Sequence, residues 1–258
     1  MLNILLVEKL VGITFKILNG FPTYITLEQK KNPAGFILEQ DILSLIDLCS
    51  RWGLERIGVS LEMGSPESEY ISELFLRNGF EYYSSRVEVS RDLKNLKEWK
   101  PPFKWASIAN SFFSETDFKQ LWEKCMAGSD NKDSSLTMDQ HLMSVKSELG
   151  VNWENSCRVY FLQNHPIGIS IPHIEPGTTD EGRLFYFGLL PKMRRKGLSS
   201  AMHLQSLWAL KEMGASYYIG STDIANKKMQ GVFEKNGCVK RSQTETYYKY
   251  FSMKKGFF

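Results

Sequence analysis

Cysteine is scarce and scattered in this sequence: Cys49, Cys125, Cys157 and Cys238 are the four among 258 residues, and none forms a C-x-x-C pair. That spacing suggests neither a zinc site nor a disulfide framework, so no metal is expected. Free, mostly buried thiols in a reducing cytoplasm are the natural reading. Long apolar runs are missing as well. The opening MLNILLVEKL has no basic leader and meets Glu8 and Lys9 early. It reads as neither a secretory signal nor a span, and no later stretch reaches the roughly 20 apolar residues a membrane helix needs. Charge of one sign is not in excess either. A formal net charge of +3 gives no global field to attract nucleic acid. Two phosphate motifs are also absent: no G-x-x-x-x-G-K-[ST] occurs, and no two glycines stand as G-x-G.

With 42% hydrophobic residues, the chain has material for one large domain or two small ones. Two segments about 160 positions apart look alike. They are ILSLIDLCSRWGLERIGVSLEMGSPESEYISELFLRNGFEYYSS and MHLQSLWALKEMGASYYIGSTDIANKKMQGVFEKNGCVKRSQ. Each reads as an amphipathic helix ending at Gly53 or Gly214, a strand and a loop. A second helix then ends at Gly79 or Gly237 before another strand. Glycine just past the last periodic residue suits a helix C-terminus. The offset is 161 residues at the first glycine and 158 at the second, which predicts a longer loop in the first copy. A repeated order of elements is the mark of an internal repeat.

Between the copies, RDLKNLKEWKPPFKW carries the charges and the Pro101-Pro102 pair of a linker. The expected division is a first domain over residues 1–95, a linker over 96–102 and a second domain over 103–258. The second half continues with a short strand (Phe103 to Ile108) and helices over Ser114 to Met126 and Thr137 to Leu149. The strand-like runs CRVYFLQ, IGISIPHI and RLFYFGLL follow. Ahead of the first repeat there is room only for short strands such as NILLVE, GITFKIL and FPTYITL. The first domain therefore reads as truncated, without leading helices.

The stretch FYFGLLPKMRRKGLSSAMHLQSLWALKEMG reads as strand, proline stop, glycine turn and helix. In a first turn from Gly197 to Ser200, backbone N–H groups have no intrahelical acceptor, and the positive end of the helix dipole joins them. Such an end binds phosphate. Gly197 allows close approach to the backbone, and Lys192, Arg194, Arg195 and Lys196 add charge. GLSSA is superficially like a nucleophile elbow, but PKMRRK separates the strand from Ser199, which the tight elbow does not allow.

Strand, proline, then R-x-x-G-x-[GA] opening a helix resembles the acetyl-CoA pyrophosphate loop of the GCN5-related N-acetyltransferases (GNAT). STDIANKKMQGVFEKNGC resembles that family's later motif. The likeness covers residues 100 to 258 as a whole domain, and the first repeat echoes the later half only. It implies an α/β (α+β) fold with a mixed, mostly antiparallel central sheet flanked by helices, and a second, partial copy at the N-terminus. By position it implies that Arg194 opens the loop, that Gly197 is its glycine, and that Ser199 stands where the family has Gly or Ala. Backbone N–H groups from Arg195 through Lys196, Gly197 and Leu198 to Ser199 would hold the pyrophosphate. Leu189 matches the strand position that pairs with the pantetheine arm and polarises the thioester carbonyl. Asn226 matches a residue that often bonds that arm, although a helix N-cap explains it equally well.

Phe233 departs from the family pattern, because a tyrosine usually stands there to protonate the departing thiolate. Phe75 holds the matching place in the first repeat. The loss is tolerable: a thiol of pKa about 8.5 leaving unprotonated near pH 7.5 costs about 1.4 kcal/mol, roughly tenfold in rate. An alkylamine acceptor must also lose a proton, for which Glu181 is the first candidate base, with Tyr186 and His173 behind it. In the first repeat the corresponding loop, LEQKKNPAGF, has Pro33, which lacks an N–H, and Ser68 is matched to Asn226. That copy is expected to be a degenerate partner.

The resemblance thus implies an acetyl-CoA-dependent N-acetyltransferase acting on a small-molecule or peptide amine, as a monomer or homodimer. No nucleic acid or membrane partner is expected. A coenzyme A-binding sensor or scaffold without turnover is the alternative.

Overall fold

The structure is a computed structural model that describes residues 2–20, 22–30, 34–97, 100–110, 113–131 and 136–251. It begins with a helix, α1 (Leu2–Val11), where the sequence reading places a strand. Val7 and Val11 lie one turn apart and are fully buried, with Leu10 packed beside them. That is a helical period, hidden in a run that is apolar on both sides. Strands β1 (Phe15–Gly20) and β2 (Tyr24–Gln29) follow as an antiparallel pair, close to the expected runs. Pro33 lies outside the described residues, as do Glu98 and Trp99 of the expected linker.

The first repeat comprises α2 (Glu39–Arg51), β3 (Arg56–Glu62), α3 (Pro66–Arg77) and β4 (Glu81–Asp92). After it come β5 (Lys104–Ser107), α4 (Glu115–Met126), α5 (Met138–Leu149) and a single turn, α6 (Trp153–Ser156). Then follow β6 (Arg158–Leu162), β7 (His165–Ile174) and β8 (Glu181–Leu189). The second repeat is α7 (Leu198–Glu212), β9 (Tyr217–Asp223), α8 (Lys227–Lys235) and β10 (Val239–Tyr250). The offset of 161 persists from β3 to the start of α3 and becomes 158 by its end. The three extra residues therefore belong to the helix, 12 residues in α3 against 9 in α8, and not to the loop. This also corrects the pairing of Ser68 with Asn226. Ser65 is the counterpart: each is an N-cap whose side chain accepts from the N–H three residues on.

Residues group into two units, Met1–Val87 with Ser242–Phe258, and Glu88–Arg241. The boundaries thus fall within β4 and β10, since strand pairing rather than linker composition sets them. In the first unit the strand order is β1-β2-β3-β10-β4. β2 and β3 are parallel, while β10 runs antiparallel to β3 from Thr244↔Glu62 to Tyr250↔Arg56. The last strand of the second repeat therefore serves the first unit's sheet. Helices α1, α2 and α3 bury Val7, Val11, Ile42, Leu45, Ile71 and Phe75 against Ile25, Ile57, Val59 and Leu61.

In the second unit the order is β4-β9-β8-β7-β6-β5. Pairs β5–β6, β6–β7 and β7–β8 are antiparallel, and β8–β9 is parallel. Along β6, Val159 packs with Phe118 and Trp122 of α4 and with Leu142 and Val145 of α5, whereas Tyr160 packs with Met202 of α7. Alternate residues thus bury both faces, which is why strands such as RVYFL read as continuous apolar runs. Among the described residues no helix is long and apolar enough to cross a membrane.

Candidate functional site

The site begins with an irregularity in β8. Its register against β7 shifts between Ser170↔Phe187 and Pro172↔Leu184, so Ile171 faces two residues, Phe185 and Tyr186. This is a β-bulge, which bends the strand that carries it and re-aims side chains. Phe185 and Tyr186 both turn to Trp122 of α4, with ring centroids 6.2 and 5.4 Å away. Leu184, Phe187 and Leu189 turn to the α7 side. β8 meets β9 only at Glu181↔Tyr217 and Gly182↔Tyr218, and beyond that the two strands leave each other unpaired. The Leu190 N–H donates to the Ile167 carbonyl at 2.9 Å. By alternation, the main-chain groups of Phe187 and Leu189 therefore point away from β7, toward the open edge. Phe187 was not singled out from sequence; its position relative to the bulge decides its role.

The open edge runs into the turn before α7. A short 3₁₀ turn at Pro191–Met193 precedes Arg194, and Arg195 takes φ +60°. A non-glycine residue there costs about 1 kcal/mol. Gly197, at φ +75°, is the N-cap and makes no side-chain cap bond, whereas Ser65, Ser114, Thr137 and Asn226 cap their helices with side-chain oxygens. The first turn of α7 also has no acidic residue. The N–H groups of Gly197, Leu198, Ser199 and Ser200 thus lack intrahelical acceptors at the positive end of the dipole. A Cβ built on Gly197 meets nothing within 4 Å, so φ alone demands the glycine and the space above it is open. Lys192, Arg195 and Lys196 are exposed, with no ion pair among the described residues. α2, the counterpart in the first repeat, starts differently: Asp41 accepts from the Leu38 N–H at 3.0 Å, and Glu39 adds a second carboxylate.

Several expected residues are engaged elsewhere. The Arg194 guanidinium donates to the carbonyls of Leu189 (3.2 Å), Gly128 (2.7 Å) and Cys125 (2.8 Å), so it braces the turn instead of supplying a free charge. The Asn226 side chain accepts from the Met229 N–H at 3.0 Å and donates to Asn131 at 2.8 Å, which fits the N-cap reading. Phe233 is 2% exposed and lies edge-on to His203, 5.5 Å between centroids. His203 is held neutral by burial, its pKa pushed down to about 3. Its Nδ1 accepts from the Asn236 amide at 2.8 Å, which leaves Nε2–H for Tyr218.

Glu181 sits where β8 and β9 pair. Its oxygens accept from Arg183 Nε at 2.6 Å and from the Tyr217 hydroxyl at 2.9 Å. There it lines a cavity of about 430 Å³ with Arg91, Tyr217, Ile219 and Arg241. Tyr186 lies at the bulge. Burial is the main cause that raises the pKa of its phenol, so it stays protonated, and it has no hydrogen-bond partner among the described residues.

No protein-family model matches this sequence, and no curated protein is similar to it in sequence. Solved structures are similar in fold. A GCN5-related N-acetyltransferase from Sphaerobacter thermophilus superposes with a TM-score of 0.65 at 12% identity, over 91% of this chain and 75% of that one. One from Kribbella flavida gives 0.59 at 9%, over 97% and 95%. A tandem GNAT protein from the clavulanic acid biosynthesis pathway gives 0.57 at 8%, over 92% and 81%. The chain has the GNAT fold.

Proposed function

We propose that this chain, on its GNAT fold, transfers an acetyl group from acetyl-CoA to a primary amine by direct attack in a ternary complex. The observation that carries the reading is the uncapped, cation-rimmed start of α7 at the end of an unpaired β8 edge. The amides from Arg195 to Ser199 would hold the pyrophosphate, with Lys192, Arg195 and Lys196 around them. The outward-facing N–H groups of Leu189 and Phe187 would hold the arm and polarise the thioester carbonyl. The thioester brings the activated acyl carbon; the protein's contribution is mainly position.

Proton handling follows from the surroundings of Phe187. Tyr186 and His203 flank it, and burial leaves both poor bases, the first raised and the second pushed down to about 3. Glu181 is about 20 Å away along the strand, with both oxygens engaged, so it does not act as the base at the attacking nitrogen. The amine is therefore taken in its neutral form, with water accepting the proton. The protonated Tyr186 phenol, too weak an acid to give its proton to a thiolate of pKa about 8.5, would instead donate a hydrogen bond to the departing sulfur, which leaves as the thiolate. The first unit, with carboxylates at the start of α2, is a degenerate copy that leaves the pyrophosphate to the second.

The buried Phe233 favours one other reading, a coenzyme A-binding module without turnover. Thermal shift and free-thiol release separate the two. Acetyl-CoA stabilisation with thiol release on some member of a broad amine panel supports transfer, and stabilisation without release on any member supports the module.

A further inference from the structure

The end of β7 holds a cluster that the transfer reading does not use. The His173 side chain is 4% exposed, yet neither ring nitrogen has a hydrogen-bond partner among the described residues. Its Nε2 lies 3.4 Å from Glu148 Oε1, at the end of α5, and 3.4 Å from Glu175 Oε2, just past β7. All three candidate ligand atoms lie within 4.8 Å of one another. Both oxygens stand within ion-pair distance of the nitrogen, yet neither contact meets hydrogen-bond geometry. That is how ligands stand around a shared ion: two donors each about 2.1 Å from a tetrahedral centre are about 3.4 Å apart.

Charge points the same way. Arg183 Nε lies 3.2 Å from Glu175 and 2.6 Å from Glu181, so these two carboxylates share one guanidinium, while Glu148 has no lysine or arginine partner among the described residues. A divalent cation balances the carboxylate charge that Arg183 leaves uncompensated around His173. Imidazole with carboxylates suits a first-row transition metal better than magnesium or calcium.

We propose that Glu148, His173 and Glu175 form a divalent metal site, for zinc first, with water at the open position. The site ties the last turn of α5 to the β7–β8 connection and, through Arg183, steadies Glu181 at the edge of its cavity. The sequence expectation of no metal rested on cysteine spacing; His173 lies 25 positions from Glu148, and only the packing of α5 on β7 brings them together.

The test uses the full chain, stripped with chelator and dialysed, then titrated with Zn²⁺ by calorimetry and with Co²⁺ by visible spectroscopy. One equivalent should bind, with the absorption of a four-coordinate cobalt complex and a thermal midpoint raised by several degrees. Glu148→Gln changes a half-exposed side chain and keeps the fold; it should weaken binding more than about tenfold, and His173→Gln should abolish it. His165→Ala, exposed at the start of β7, should change nothing. Absence of saturable binding in the wild type, or unchanged affinity in Glu148→Gln, overturns the site. If His173→Gln does not fold, Glu148→Gln decides alone.

Discussion

Arg194 Nε donates to the Leu189 carbonyl across 3.2 Å while its two terminal nitrogens reach the carbonyls of Gly128 and Cys125. One side chain thus joins the end of β8, the turn before α7 and the end of α4. Hydrogen bonds from a charged donor contribute about 1.5 to 3 kcal/mol each and are not additive. Arg194→Gln should lower the stability of the second unit by about 2 to 3 kcal/mol, as read by urea unfolding. Its effect on acetyl-CoA affinity should follow from the loosened turn.

Arg195 should behave in the opposite way. It holds φ +60°, a cost that asparagine carries more easily, and its side chain is free. Arg195→Asn should leave stability unchanged or raise it by up to about 1 kcal/mol, while acetyl-CoA binding weakens several-fold. The same two measurements on both variants separate the bracing cation from the ligand-facing one.

The pH profile of transfer follows from the lack of a good base near Phe187. With an amine of pKa about 10 reacting in its neutral form, kcat/KM for the acceptor should rise about tenfold per pH unit between 7 and 9. A plateau beginning near pH 6.5 would reveal a base. Tyr186→Phe should lower kcat about tenfold, the loss of a hydrogen bond worth about 1.5 kcal/mol to the departing thiolate, and leave the KM for acetyl-CoA unchanged.

Stability should fall at both pH extremes for named reasons. His203 has its folded pKa depressed to about 3 from 6.5 by burial. Its contribution is complete above pH 6.5 and is lost as pH falls toward 3. Burial pushes the thiols of Cys49, Cys125, Cys157 and Cys238 up to about 12 from 9.0. Stability should therefore decline as pH rises from 9 toward 12, where the unfolded chain ionises and the folded one does not. Unfolding midpoints across pH check both limbs, and His203→Gln should flatten the acid one. At pH 8 the native thiols should react slowly with a disulfide reagent and quickly after denaturation.

What the sequence made legible was local. The cations and glycine before α7, the helix and strand order of both repeats, and the starts of α4 and α5 near Ser114 and Thr137 depend on neighbours a few residues away. What escaped it depends on distant partners. Arg194 finds carbonyls 66 and 69 positions earlier. β10 pairs with β3, and the bulge at Phe185 and Tyr186 lies inside an uninterrupted apolar run, where alternation gives no signal. α1 was missed for a related reason: with apolar residues on several sides, its period is ambiguous until Val7 and Val11 are seen buried together.

The claim that amides at the start of α7 receive a diphosphate is tested most directly by titrating acetyl-CoA calorimetrically into the wild type and Gly197→Trp. The space above Gly197 is open and its φ positive, so the indole should cover the amides at a cost of about 1 to 2 kcal/mol, with the fold retained by circular dichroism. The account predicts saturable binding in the wild type and none in the variant. Equal affinity in the two proteins, or no binding to the wild type, would contradict it.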